Sequence, residues 1–302
     1  ISGASPSFVE LDVQIRVPAK LDSSDNMQPN SALLPSIKVG TIFSSLVGVD
    51  FELLENIDFS ETDDKGVLLA EPIIASVDAN DQPVEYFLKR KAICSSAKTV
   101  IETFAISDKF TPFRQITLAN TDVNEIISIK DSDGDEYYEV KSLTQDTVYV
   151  RQKNDFPDYL SVPERIKMIP APKRFEKINS LSDGTTTVVF GSGDEDMFDE
   201  DVIPDPSEHA IRLYGDRKTI PFVSIDPNSF LKTSTLGISP KNTKLTIKYR
   251  YGGGINHNVS AGQINTVKTL VTKFQQNTPS TQITEIRNSL VCSNLSSASG
   301  GE

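Results

Sequence analysis

Residues Leu245 to Ile264 read LTIKYRYGGGINHNVSAGQI. The stretch opens with strict alternation. Leu245, Ile247 and Tyr249 fall on one side and Thr246, Lys248 and Arg250 on the other, which is the period of a half-buried β-strand. Gly252, Gly253 and Gly254 then end the pattern. Consecutive residues without a Cβ cannot pack a face, but they accept positive φ and let another backbone come close. Asn256, Asn258 and Gly262 follow around Val259 and Ala261, and a second run starts at Ile264. The reading is strand, glycine corner, strand, and it requires a sheet protein whose chain turns sharply at this point.

The same period recurs along the chain. Phe8 to Val17 sets Val9, Leu11, Val13, Ile15 and Val17 against Glu10, Asp12, Gln14 and Arg16. Leu21 to Ser31 is a polar loop, Ile37 to Ser45 a strand broken at Gly40, and Asp63 to Gly66 a turn. Phe51 to Phe59 fits strand or helix, strand being preferred. Ile73 to Val77 and Tyr86 to Arg90 flank a turn at Asn80 to Pro83, and Thr99 to Ile106 alternates again. Ile126 to Ile129 and Tyr137 to Lys141 flank Asp131-Ser132-Asp133-Gly134, a hairpin on an Asp-Gly turn. Val148 to Arg151, Thr185 to Phe190, Ile220 to Ile225 and Phe230 to Leu236 read as short strands. Val162 to Lys177 is basic and broken by Pro163, Pro170 and Pro172, a connector with edge-strand character. Ile264 to Phe274 alternates imperfectly, and Ile283 to Val291 fits a strand or a short helix. Helical periodicity is never sustained. The expected fold class is mainly β (β-rich α+β) and multi-domain, with antiparallel sheets and few short helices.

The chain has 302 residues. That suffices for two domains, and roughly 75% of the unfolded surface can be buried without disulfides. A net charge of −12 disfavours nucleic acid and anionic membranes as partners. The acidic excess is concentrated: Asp194 to Glu208 holds eight carboxylates and no Lys or Arg. Cys94 and Cys292 are too few and too far apart for a disulfide scaffold and read as free buried thiols of a cytosolic product. No apolar run of about 18 residues suggests a membrane span. The opening at Ile1 carries no charged-then-apolar leader, and with the polar end at Gly300, Gly301 and Glu302 the chain reads as a piece of a longer polypeptide.

Chemistry-bearing patterns are few. Asp131, Asp133 and Asp135 suggest a calcium loop, but Gly134 stands at position four rather than six and Ser142 at position twelve, so a hairpin turn is preferred. The acidic run could gather Ca²⁺ weakly; a solvated loop or a charged surface for a basic partner fits better. His209, His257 and the cysteines lack metal-ligand spacing. Gly191-Ser192-Gly193 is not a nucleophile elbow, and Gly252 to Gly254 is not a phosphate loop. Carboxylate pairs for glycoside hydrolysis converge only in space and stay open, although without Trp a sugar platform would rest on Tyr and Phe. No catalytic, cofactor-binding or metal residue is assigned, no cofactor is expected, and the chain does not read as an enzyme. A β surface with many edges reads instead as a building block.

The segment Gly254 to Ile264 resembles the G-x-x-x-N-V-x-A-G-x-I motif of the baseplate-J-like family of contractile-tail bacteriophages, and the T-even type wedge subunits within it. Further blocks occur in order: Ser5 to Val17, Ile37 to Phe59, Thr103 to Leu118, Val123 to Leu143, Val188 to Gly193, Phe230 to Val259 and Asn294 to Glu302. The resemblance implies a non-enzymatic structural subunit of the virion tail baseplate, assembled in the host bacterial cytoplasm. Its implied partners are itself, as a homodimer within and between wedges, and other baseplate wedge subunits. The ring so formed would surround the central hub and hold through the baseplate's conformational change on infection. A tail-associated carbohydrate-binding or depolymerising domain is the alternative. Because shorter family members resemble the chain on either side of its middle, residues 1–105 with 240–302 are expected to form a base domain and 106–239 an inserted β-rich domain.

Overall fold

A computed structural model describes residues 4–22, 26–63, 65–154, 156–158, 161–180, 182–196, 236–276 and 278–302. The expected strand at Ile220 to Ile225, all of the one at Phe230 to Leu236 except its last residue, and most of the acidic run lie outside the described residues.

The chain runs β1 (Phe8–Leu21), β2 (Met27–Pro29), β3 (Ser36–Ile37), β4 (Ile42–Ser45), β5 (Asp50–Leu53), β6 (Ile57–Asp58), β7 (Glu71–Val77) and β8 (Pro83–Ser95). It continues through β9 (Lys98–Ile106), β10 (Gln115–Thr117), β11 (Val123–Lys130), β12 (Glu136–Glu139), β13 (Thr147–Lys153), β14 (Glu164–Pro170), β15 (Arg174–Asn179) and β16 (Thr186–Phe190). β17 (Thr243–Tyr251), β18 (Ile264–Thr269), β19 (Thr272–Lys273), α1 (Ser280–Asn288) and β20 (Val291–Ser293) complete it. The fold is mainly β and multi-domain, built chiefly from antiparallel ladders. One described ladder, between β12 and β15, is parallel.

Two compact units divide the chain. The terminal unit comprises Ser2–Thr99 and Arg250–Glu302, and the middle unit Val100–Tyr249. Both limits fall within strands, β9 and β17, so that the middle unit starts six residues before the expected 106 and ends ten after 239. These two strands are hydrogen-bonded neighbours in the middle unit's sheet, which keeps most of each with that unit.

In the terminal unit, β1 and β8 pair antiparallel from Phe8↔Ser95 to Pro18↔Glu85. The alternation of β1 sends Val9, Leu11, Val13, Ile15 and Val17 inward, all buried. They meet Phe43, Phe51, Leu53, Phe59, Leu88 and Ile286 in one core. On the other face the charges pair across the ladder: Lys91 Nζ to Glu10 at 2.6 Å, and Lys89 Nζ to the buried Asp12 at 2.8 Å. Outer strands attach on both sides, β20 and β2 to β1, and β7 and β5 to β8. The ambiguous tail resolves as helix. Ile283, Ile286 and Leu290 recur at helical spacing, Ile286 enters the core, and β20 starts only at Val291.

The middle unit carries a sheet in the order β10-β16-β15-β12-β11-β17-β9 and a separate two-stranded sheet of β13 and β14. Tyr137 meets Phe190 edge-to-face at 5.3 Å, and Phe175 lies 6.3 Å from Phe190. The expected connector at Val162 to Lys177 is corrected here. It holds two strands, β14 and β15, because Pro163 and Pro170 mark the ends of β14 and Pro172 lies between the two. Arg174, basic in sequence, is buried in β15, where its Nε donates to the Leu143 carbonyl and its Nη1 to the Ala171 carbonyl, both at 2.8 Å. Those bonds, with the covered aliphatic stem, make burial of the cation tolerable.

Leu11 is fully buried at the centre of the β1–β8 ladder. Leu11→Ala is expected to cost about 2–5 kcal/mol of unfolding free energy. Urea denaturation followed by circular dichroism checks this; a loss under about 1 kcal/mol would show that the ladder is not the core's backbone.

Candidate functional site

The glycine corner closes the terminal unit. Gly252, Gly253 and Gly254 all have positive φ, 88°, 139° and 107°. A Cβ at Gly253 would stand 2.4 Å from the Ser5 carbonyl oxygen, and the Gly254 N–H donates to that same oxygen at 2.9 Å. The end of the chain seals the arrangement. Asn258 Nδ2 donates to the Gly301 carbonyl at 2.8 Å, and the Gly301 N–H donates back to Asn258 Oδ1 at 2.9 Å. A Cβ on Gly301 would stand 2.4 Å from the Gly254 carbonyl oxygen. Phe8 and Ser299 exchange backbone bonds at 2.8 and 3.0 Å. Asn294 accepts from the Ile264 N–H and donates to the Ser260 and Ser296 carbonyls. The corner thus joins Ser5 to Phe8, Gly253 to Ile264 and Asn294 to Glu302. It is a junction of strands held by backbone and amide groups.

The Asp-Gly turn is held by a lysine. Asp131 Oδ1 accepts from the Asp133 and Asp135 N–H groups at 3.1 and 2.9 Å, the geometry of an Asx turn. Lys173 Nζ contacts Asp131 Oδ2 at 3.0 Å, Asp135 Oδ2 at 2.9 Å and Glu195 Oε1 at 3.3 Å. Its ammonium takes the central position that a metal ion would need. Burial pushes the Asp131 carboxyl up, but the Lys173 hydrogen bond and the Asp135 and Asp133 amides outweigh it and hold the group below the ordinary range. The described start of the acidic run is likewise paired, with Lys241 Nζ 2.6 Å from Asp196 and 3.6 Å from Asp194.

The remaining candidates are scattered. Cys94 and Cys292 are free and buried in the terminal core. Burial pushes the Cys94 thiol well up, with a contribution from Cys292, and raises Cys292 to about 11, so neither supplies a thiolate at neutral pH. His257 lies beside the glycine corner; burial and the nearby Lys98 charge lower its pKa, and its buried Nδ1 has no described partner. His209 lies outside the described residues. Ser192 is buried at the end of β16, with no partner for its hydroxyl among the described residues. No cluster of three His, Cys, Asp or Glu suited to a metal occurs among the described residues. No described helix is long and apolar enough to cross a membrane.

The structure exposes two apolar faces, one in each unit, that sequence reasoning did not single out. On the β13–β14 hairpin, Tyr149 stands opposite Met168 and Arg151 opposite Ile166. Tyr149 is 69%, Met168 61% and Ile166 71% exposed. The outer edges of both strands have no strand partner among the described residues. β7 is a second free edge among the described residues, with Ile73, Ile74 and Val77 exposed. An open groove of about 480 Å³ runs beside the hairpin, lined by Glu139, Lys141, Val148, Tyr149, Glu176 and Lys177.

No known protein family matches the chain, and no curated protein matches it.

Two predictions test these local arrangements. Gly253→Val is expected to prevent formation of the corner, because a β-branched residue resists positive φ and its Cβ would overlap the Ser5 backbone. Unchanged thermal unfolding and an unchanged amide NMR spectrum would contradict that. For the Asp131–Lys173 pair the lowered carboxyl fixes the sign. Its stability is present above the unfolded Asp value of about 4 and is lost as pH falls through the lower folded value. Lys173→Met should therefore be less stable at pH 7 and lose less stability on acidification, which denaturation measured at both ends of that range reads out.

Proposed function

We infer that the chain is a structural subunit that works by association with copies of itself and with neighbouring proteins. The observation that carries this reading is the pair of exposed apolar sheet edges, at β7 and at β13–β14. Exposed apolar side chains gathered on one face and rimmed by charge mark association surfaces. The reactive groups are buried, paired or dispersed, so a binding role fits the described residues better than a catalytic one.

The ordered sequence blocks support a more specific proposal. On that reading the chain is a wedge subunit of a contractile-tail phage baseplate, located in the virion tail. It self-associates to join neighbouring wedges into the ring around the hub and contacts other wedge subunits. The glycine corner suits such a part, because it locks the terminal unit through backbone contacts while side chains at the edges stay free for partners.

A second reading rests on the groove beside the hairpin. Glu139, Glu176 and the exposed Tyr149 line it, the residue types of a carbohydrate-binding or depolymerising site. Glycan cleavage abolished by Glu139→Gln or Glu176→Gln would establish it.

The self-association reading predicts a dimer or larger species in size-exclusion chromatography with light scattering at tens of micromolar. An interface of ordinary size buries about 1,200–2,000 Å². A monodisperse monomer at millimolar concentration would contradict the reading.

A further inference from the structure

The two exposed edges carry opposite charge. Strands β13 and β14 contain Arg151, Lys153, Arg165 and Lys167 against the single carboxylate Glu164. Glu71 to Glu85, which covers β7, its turn and the start of β8, contains Glu71, Asp78, Asp81 and Glu85 and no Lys or Arg. Each edge thus has an exposed apolar centre with charges of one predominant sign around it. On the hairpin, the face bearing Tyr149, Ile166 and Met168 also carries Arg151 and Lys153, with Glu164 3.9 Å from Arg151, while Arg165 and Lys167 fall on the opposite face. Around β7, the exposed Ile73, Ile74, Val77 and Val84 lie among the carboxylates.

We propose that the β13–β14 hairpin of one copy docks on the β7 edge of a second copy, a head-to-tail contact between unlike surfaces. This rests on the self-association reading and specifies its surfaces. Hairpin against hairpin would bring Arg151 and Lys153 of one copy against the same two cations of the other, and β7 against β7 would oppose carboxylates; the crossed pairing sets these cations against Glu71, Asp78 and Asp81. Unlike surfaces make a heterologous interface, which leaves one free edge of each kind on every pair and so extends into a closed ring or an open row. The contact runs through side chains rather than strand addition. Pro72 removes one backbone donor from β7, while Pro163 and Pro170 bracket β14, so the edges are poor templates for a continued ladder.

Sedimentation velocity on the 302-residue chain and two charge-altered variants tests this. The variants are Arg151→Glu with Lys153→Glu, and Glu71→Lys with Asp81→Asn, all at exposed positions, Asn being chosen because Asp81 has a positive φ of 58°. Each variant alone is expected to weaken self-association at least tenfold while its thermal unfolding stays near that of the unmodified chain. The equimolar mixture of the two should regain association, because each then offers the other a complementary surface. Association of either variant at the unmodified strength, or failure of the mixture to recover, overturns the proposal. Tyr149→Ser, exposed and away from the core, gives an independent check and should weaken association without any charge change. An unmodified chain that stays monomeric instead overturns the self-association reading beneath it.

Discussion

The terminal unit depends on the ladder between β1 and β8. Eleven residue pairs hold it, and its two faces divide the work. One face supplies Val9, Leu11, Val13, Ile15, Val17 and Leu88 to the core. The other balances Glu10 with Lys91 and the buried Asp12 with Lys89. Apolar burial is the main stabilising contribution, since pairs as exposed as Glu10 and Lys91 add little in water. Because both strands are long, each has room for further partners on its outer side, and β2, β5, β7 and β20 attach there. Removing the ladder would leave these short strands without a template.

The glycine corner solves a related problem. Strand β17 delivers the chain to a point where Gly253 lies against the Ser5 backbone and Gly301 against the Gly254 carbonyl. Side chains there would overlap backbone, so the position is given to glycine and the sealing bonds to the backbone and to Asn258. A junction made this way is rigid without using charge or bulk. The edges that remain, β7 and the β13–β14 hairpin, are therefore free to differ from one another in chemistry. The proposed contact between unlike surfaces rests on that difference.

Much of this was legible in the sequence, for identifiable reasons. β1 shows because five inward apolar residues alternate with charge, and the corner shows because no other residue type tolerates three consecutive positive φ values. The fold class follows from the same period. Other features were hidden. Pro163, Pro170 and Pro172 looked like breaks in a connector, although they fall at and between the ends of β14 and β15. Arg174 was read only as part of a basic connector, because its carbonyl partners are set by tertiary placement. The turn at Asp131 was legible from Asp-Gly, but the Lys173 that holds it lies 42 residues away. The hairpin's outer face was hidden for another reason. Val148 and Val150 share one side and Tyr149 the other, so alternation alone does not say which side meets solvent.

The most direct test of the proposed association is hydrogen–deuterium exchange at two concentrations, one dilute and one at which self-association is expected. The account predicts that protection rises with concentration at residues 71–77 and across 147–153 and 164–170, while the β1–β8 ladder and the glycine corner, already protected, stay unchanged. Protection that rises elsewhere and leaves both edges exchanging freely would contradict it.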